Sequence, residues 1–365
     1  MQVHIPLLIL CVVLCLFPSK NGTFREKWIM PICMLLITVY MAIRYDYGLD
    51  FWSYYRSFTS GDYRTEDTEP LFWLFMDIFP KYYQLIAAIS IALMVTIFSW
   101  VKKFVNNQWY WLFFICFMCI PGMSWQMMSA LRTVMAFVVL SFGIYQYYIK
   151  QTRVGLYIIS VIAATLFHSS AMIFIILPFI SNLVLKINPR VFFAAFLLFS
   201  VFSFTGISQH ISEFVFNIVF QFGWIDPEHY SFYATKYISN ANGAIFRSLW
   251  LFPAYYICNF ERNINSPIYD KFYVLSIIYF SIFFLSLDLE FRFTLYLFIF
   301  VIIAITYCLT QMNTLNRIIA VLPMLVSCLY HLYSYYVLMR EERYGIYSEG
   351  NFFIYQTIFD NLPLI

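Results

Sequence analysis

Long apolar runs separated by brief polar breaks occupy almost the whole chain. The runs lack the alternation that would give an element one wet face, so they read as helices surrounded by hydrocarbon. They lie at about 3–18, 28–43, 82–100, 109–121, 131–149, 154–167, 170–185, 191–207, 246–260, 272–287, 293–310 and 318–337. The fold class this predicts is an all-α polytopic integral membrane protein with about 12 membrane helices. Several runs are shorter than the ~20 residues that span a bilayer. The pair 154–167 and 170–185 is preceded by Lys150 and Arg153 and followed by Lys186 and Arg190. One continuous helix would put these basic clusters on opposite sides of the membrane. Two short or re-entrant helices turning at His168-Ser169-Ser170 keep them on one side, and that is the expectation.

Composition supports the same class. Hydrophobic residues make up 62% of 365 positions and charged residues 11%, against roughly 25% charged in soluble domains. No soluble domain is expected, so residues 1–365 read as a single transmembrane domain. All eight cysteines fall inside apolar runs, which argues against a disulfide framework, and Cys116-x-x-Cys119 reads as helix packing. Met1 to Phe17 lacks a basic start and a small-x-small cleavage site, so it is expected to stay as a first helix.

The distribution of charge sets the orientation. With the N-terminus outside, the inner loops hold 12 basic residues (Lys20, Arg25, Lys27, Lys102, Lys103, Lys150, Arg153, Lys186, Arg190, Arg262, Lys271 and Arg317) and three acids (Glu26, Glu261 and Asp270). The other 10 basic and 16 acidic residues lie outside. That side also carries the longer polar segments, 44–81, 208–245 and the tail 340–365. All five histidines (His4, His168, His210, His229 and His331) fall on or near it. The chemistry is therefore expected on the outer face.

Four constellations stand out there. Arg44 to Tyr55 packs an arginine, Asp46, Asp50 and six aromatics around Gly48. Aromatic faces with carboxylates suit sugar rings, and an interfacial aromatic belt would look the same. Arg132 opens an apolar helix; an arginine at that depth is paired, functional or snorkelling, and its fork matches phosphate. His168 sits at the helix break, as a proton-transfer group or as a structural hydrogen-bonding residue. Arg292, in Asp288-Leu289-Glu290-Phe291-Arg292, fits a phosphate clamp or a local ion pair, and Arg247 opens a helix similarly. Glu69, before Pro70, is a weaker carboxylate candidate. There is no P-loop, H-E-x-x-H, G-x-S-x-G or metal cluster in the sequence.

At these residues the chain resembles the EpsG-like family of Wzy-type polysaccharide polymerases. Arg44 to Tyr55 looks like the family's R-Y-x-x-G-x-D-x-x-x-Y block, followed by Glu69-Pro70-Leu71-Phe72. Leu131-Arg132-Thr133 to Tyr147-Tyr148 is similar to its arginine helix, with Thr133 where the family often has glutamine. Ala163 to Ala171 resembles its A-x-x-F-H-x-S-A segment, and Phe291-Arg292-Phe293 its late arginine. The resemblance implies a GT-C-like scaffold in the bacterial cytoplasmic (inner) membrane, with a periplasmic or extracellular active face. It implies glycosyl transfer: a growing glycan passes from undecaprenyl pyrophosphate to the non-reducing end of a lipid-linked oligosaccharide repeat unit.

In that reaction Arg132, Arg292 and Arg247 are expected to meet the diphosphate. Asp50 or His168 would serve as base, and Arg44, Tyr47, Tyr54 and Glu69 as substrate-binding residues. No cofactor and no metal is expected, since several arginines supply positive charge. The expected partners are the lipid-linked oligosaccharide, membrane lipid and a chain-length regulator protein, with no nucleic acid. Two competitors remain. One is an O-antigen ligase or other membrane transferase, which shares donor and face. The other is a lipid-linked oligosaccharide flippase, which would need charged residues lining a path through both leaflets.

Overall fold

The computed structural model describes residues 3–17, 23–47, 50–61, 69–120, 123–205, 248–260, 266–285, 293–340 and 356–359. Each of the twelve apolar runs is helical over its described part. Helices answer the bilayer's demand that every backbone polar group be satisfied within its own segment. Among the described residues, four helices are long and apolar enough to cross a membrane: Tyr82–Phe104, Ser169–Lys186, Pro267–Phe284 and Thr314–Tyr333. Four shorter apolar helices accompany them, His4–Leu16, Val154–Phe167, Pro189–Phe202 and Phe298–Gln311. All eight cysteines are buried thiols.

The chain divides into two compact units, residues 1–178 with 331–365, and residues 179–330. In the first, α1 (His4–Leu16) packs on α2 (Met30–Ala42) and on α6 (Tyr110–Cys119). Helix α2 packs on α5 (Tyr82–Phe104), α5 on α8 (Leu131–Ile144), and α8 on α9 (Val154–Phe167). The segment 44–81, read from sequence only as a polar stretch, contains two further helices among its described residues, α3 (Phe51–Ser60) and α4 (Pro70–Asp77). Both are too short to be stable alone and gain their stability from packing. Phe51, Tyr54, Tyr55 and Phe58 fall on neighbouring turns of α3; Phe51, Tyr55 and Phe58 meet Tyr82 of α5, and Tyr54 meets Phe72 of α4. Gly61, in the left-handed conformation at φ 72°, ends α3 with its N–H on the Ser57 carbonyl at 3.0 Å. A short helix, α7 (Ser124–Ser129), precedes α8.

The break at His168 is present. Helix α9 stops at Phe167, His168 is extended (φ −157°, ψ 121°), and a 3-10 segment, Ser169–Ile176, leads into α10 (Leu177–Lys186). Tyr157 donates to the Phe174 carbonyl at 2.5 Å. On one straight helix those residues would be ~25 Å apart, so the chain folds back on itself. Tyr148 donates to the Leu177 carbonyl at 3.2 Å. The two phenols thereby occupy carbonyls where 3-10 geometry gives way to α.

A two-stranded antiparallel ladder closes the first unit. β1 (Arg44–Tyr45) pairs with β2 (Gln356–Thr357), Arg44 opposite Thr357 and Tyr45 opposite Gln356. The Ile358 N–H adds a bond to the Ile43 carbonyl at 3.0 Å.

In the second unit, α11 (Pro189–Thr205) packs on α12 (Leu251–Phe260) and α13 (Pro267–Leu285), and both of these pack on α14 (Phe298–Gln311). Nearly every side chain of α14 is buried, as expected of an interior helix that is apolar all round. Tyr269 joins α13 to α14 through the Cys308 sulfur at 2.7 Å and a stack on Tyr307. The last helix, α15 (Thr314–Arg340), contains Pro323.

The α8–α9 interface rests on a small residue. A side chain at Gly143 would meet Ser160 Cβ at 2.5 Å and its Oγ at 3.0 Å. Because Cβ moves only with the backbone, Gly143→Val should force the helices apart, at about 1–3 kcal/mol. A thermal melt of the purified protein checks this; an unchanged melting temperature would show that the interface relaxes freely.

Candidate functional site

One buried carboxylate gathers the candidate chemistry. Glu69 lies just before α4, with its backbone in the left-handed region at φ 59°, ψ 50°. For a residue with a side chain this conformation costs about 1–2 kcal/mol, and such strain persists only where the surroundings impose it. Oε2 accepts from Arg132 Nη1 at 2.7 Å. Oε1 accepts from His168 Nδ1 at 2.5 Å and from the Ser169 backbone N–H at 3.1 Å. The side chain of Glu69 is 6% exposed, that of His168 12% and that of Arg132 33%.

Each partner is delivered by an element end. Arg132 is the second residue of α8. His168 stops α9, its N–H closing that helix on the Ala164 carbonyl at 2.9 Å. Ser169 begins the 3-10 segment, where N–H groups lack partners within the helix and favour negative charge. Burial pushes the Glu69 carboxyl upward, but His168, Arg132 and the Ser169 N–H outweigh it and hold the group below the usual carboxylate range. Since an ionised carboxylate only accepts, Nδ1 of a neutral His168 carries the proton and the Nε2 lone pair is left for another donor.

The Arg132 guanidinium is held on two further sides. Its Nε donates to the Tyr54 hydroxyl at 3.2 Å, and its central carbon lies 5.7 Å from both the Tyr54 and the Trp73 ring centroids. With Nη1 on Glu69 and Nε on Tyr54, no acceptor among the described residues hydrogen-bonds Nη2. The arrangement presents a positioned imidazole, a partly exposed cation and a buried anion at one end of the helices.

The remaining expected residues separate. Asp50 is the N-cap of α3, half-buried, and close enough for its charge to act on the Tyr54 and Tyr82 phenols. Arg44 is 2% exposed, with its guanidinium on carbonyls. Nη1 donates to Met41 at the end of α2 and to Ser90 Oγ at 3.1 Å, and Nη2 to Met128 in α7 at 2.9 Å. Tyr47 is fully buried, edge-on to Tyr40 at 6.1 Å. Tyr40 in turn meets His4 Nδ1 at 3.2 Å, while His4 Nε2 donates to the Met118 carbonyl at 2.8 Å. Arg247, Arg292, the segment 208–245 and the tail apart from Arg340 and 356–359 lie outside the described residues, as does the stretch from Asp288 to Arg292.

The sequence reading singled out neither Trp73 nor the Ser169 N–H, and it offered Asp46 only as one of two carboxylates in the Arg44–Tyr55 block. Asp46 accepts from Trp52 Nε1 at 2.6 Å and fixes the turn before α3. It also ranked Glu69 low, although an acid beside proline at the end of an outer segment is a recognisable signal.

Because the Glu69 carboxyl is held low, its contribution to stability is complete above the usual carboxylate range near 4.5 and is lost as pH falls through the lowered value. Glu69→Gln should therefore melt below the wild type at neutral pH, and the two should converge on acidification. Thermal melts across this range check it; parallel curves would mean that the clasp does not depend on the ionised carboxylate.

No curated relative and no solved structure matches the chain. A family model, described as the EpsG family, matches residues 27–357. That span contains Glu69, Arg132 and His168 together with the elements that deliver them, and the chain belongs to the EpsG family.

Proposed function

We propose that this membrane protein is a polysaccharide polymerase of the O-antigen and exopolysaccharide type. It would transfer a growing glycan from undecaprenyl pyrophosphate to the non-reducing end of a lipid-linked repeat unit, on the periplasmic or extracellular face. The observation that carries the reading is the Glu69 clasp, which brings an arginine and a histidine together in a chain of this family. The inner ends of α5 and α8 carry Lys102, Lys103 and Lys150, whereas the clasp is at the other end of α8, so the positive-inside rule supports an outward-facing site.

The reaction forms a bond from an acceptor hydroxyl oxygen to the anomeric carbon and breaks the bond from that carbon to the diphosphate. The hydroxyl proton goes to a base, and the lipid diphosphate leaves as an anion. His168 is the better base of the two candidates, because Glu69 holds Nδ1 and leaves Nε2 to the hydroxyl, as the buried acid does in hydrolase triads. Arg132 would meet the diphosphate through Nη2, where charge develops on the leaving oxygens. Arg292 and Arg247 complete the proposed clamp. Asp50 and Tyr54 border the acceptor side, while Arg44 and Tyr47, being buried, shape the loop rather than touch sugar. The GT-C-like scaffold and the chain-length regulator belong to the same proposal.

Deletion of the gene should leave single-repeat units in place of long-chain surface glycan. Loss of all attached glycan would instead favour a ligase or flippase. On purified lipid-linked repeats, His168→Ala should lower turnover about 10²–10⁴-fold, and Arg132→Ala by a comparable factor. Asp50→Asn should retain most turnover. Wild-type chain lengths in the His168 and Arg132 variants would overturn these roles; a collapse confined to Asp50→Asn would make Asp50 the base.

A further inference from the structure

A second cluster lies at the opposite end of α8. Arg132 and Tyr145 are 13 residues apart on one helical run, which separates them by roughly 20 Å. Tyr145 begins a π-helical turn, Tyr145–Ile149, that continues α8. Lys103, in the last turn of α5, places Nζ 2.5 Å from the Tyr145 hydroxyl and 4.6 Å from its ring centroid. Lys150 reaches the same ring, with Nζ 5.6 Å from its centroid. Trp100 packs edge-on against the ring at 5.6 Å.

Two ammonium groups thus converge on one phenol. Among the described residues neither has a carboxylate within ion-pair distance. An aromatic face offsets only part of the repulsion between like charges, so the arrangement is complementary to an anion. The surface beside it is apolar. On α5, Ile91, Val95 and Ser99 follow at four-residue spacing and are exposed, and Phe142 of α8 is exposed one turn from Tyr145. The cations therefore sit at the end of an oily strip running along the helices, beside Trp100 and Tyr145, the residue types that favour lipid headgroups.

We propose that Lys103, Lys150 and Tyr145 bind the phosphate of an anionic phospholipid of the inner leaflet, whose acyl chains lie along Ile91, Val95 and Phe142. The strip selects a lipid over free phosphate, since inorganic phosphate would use only the headgroup contacts. The site is independent of the glycan reading and lies away from the Glu69 clasp.

The test uses the full-length protein in detergent, titrated with phosphatidylglycerol, phosphatidylcholine or inorganic phosphate and read by native mass spectrometry and thermal melts. Phosphatidylglycerol should bind and raise the melting temperature well above the effect of the other two. Lys103→Gln with Lys150→Gln should bind it about 30-fold more weakly, at roughly fivefold per lysine, while the paired arginine variant stays close to wild type. The single glutamine variants, each about fivefold weaker, carry the test should the double variant fail to fold. Lys186→Gln with Arg190→Gln, at another basic helix end, should change little. Equal stabilisation by inorganic phosphate, undiminished binding in the glutamine variants, or an equal loss in the Lys186 and Arg190 pair would overturn the proposal.

Discussion

A buried carboxylate shared by two cationic or protonatable partners is costly to build, because its desolvation must be repaid by geometry and by saturated hydrogen bonds. Glu69 meets that condition. Three donors from α8, His168 and the start of the 3-10 segment reach its two oxygens. The donors come from two stretches of chain, the start of α8 and the His168–Ser169 break, so the clasp also fixes where those stretches begin and end. The left-handed backbone at Glu69, the extended break at His168 and the entry of α8 are three local irregularities that one anion reconciles. The helix ends at this site depend on that reconciliation.

The elements behind the clasp explain why it can be held so firmly. Gly143 lets α8 and α9 approach closely, and Tyr157 and Tyr148 tie the returning segment to them through the Phe174 and Leu177 carbonyls. Arg44 does comparable work one layer away, joining the ends of α2 and α7 to α5. An arginine buried to that extent acts as a many-armed cap for helix carbonyls. Its separation from the clasp distinguishes the buried, structural Arg44 from the partly exposed Arg132.

Much of the fold could be read before the structure, because a bilayer imposes one simple rule on long apolar runs. The twelve runs are helical over their described parts, and the break at His168 followed from keeping the basic residues that flank the pair on one side of the membrane. Helices α3 and α4 were missed for the opposite reason: both are short, α3 is polar on one side, and they are stabilised by rings from elsewhere, such as Tyr82 and Tyr54. At the site, Arg132 and His168 stood out because charge and histidine are rare in such helices. Glu69 did not, since its importance comes from partners 63 and 99 residues away. Aromatics such as Phe51 and Tyr54, which suggested a sugar platform, are largely committed to packing on one another and on Tyr82 and Phe72.

The pairing of β1 with β2 has a temporal side. Arg44 and Thr357 are more than three hundred residues apart, yet they are neighbours in the ladder. Chains emerge from the ribosome N-terminus first, at roughly 5–20 residues per second. The turn that carries Arg44 and Tyr45 therefore waits on the order of a minute or less for its final strand, through the synthesis of every later helix. This corner cannot be completed until Gln356 and Thr357 have been made, and a chain released short of Gln356 would leave Arg44 and Tyr45 without their ladder.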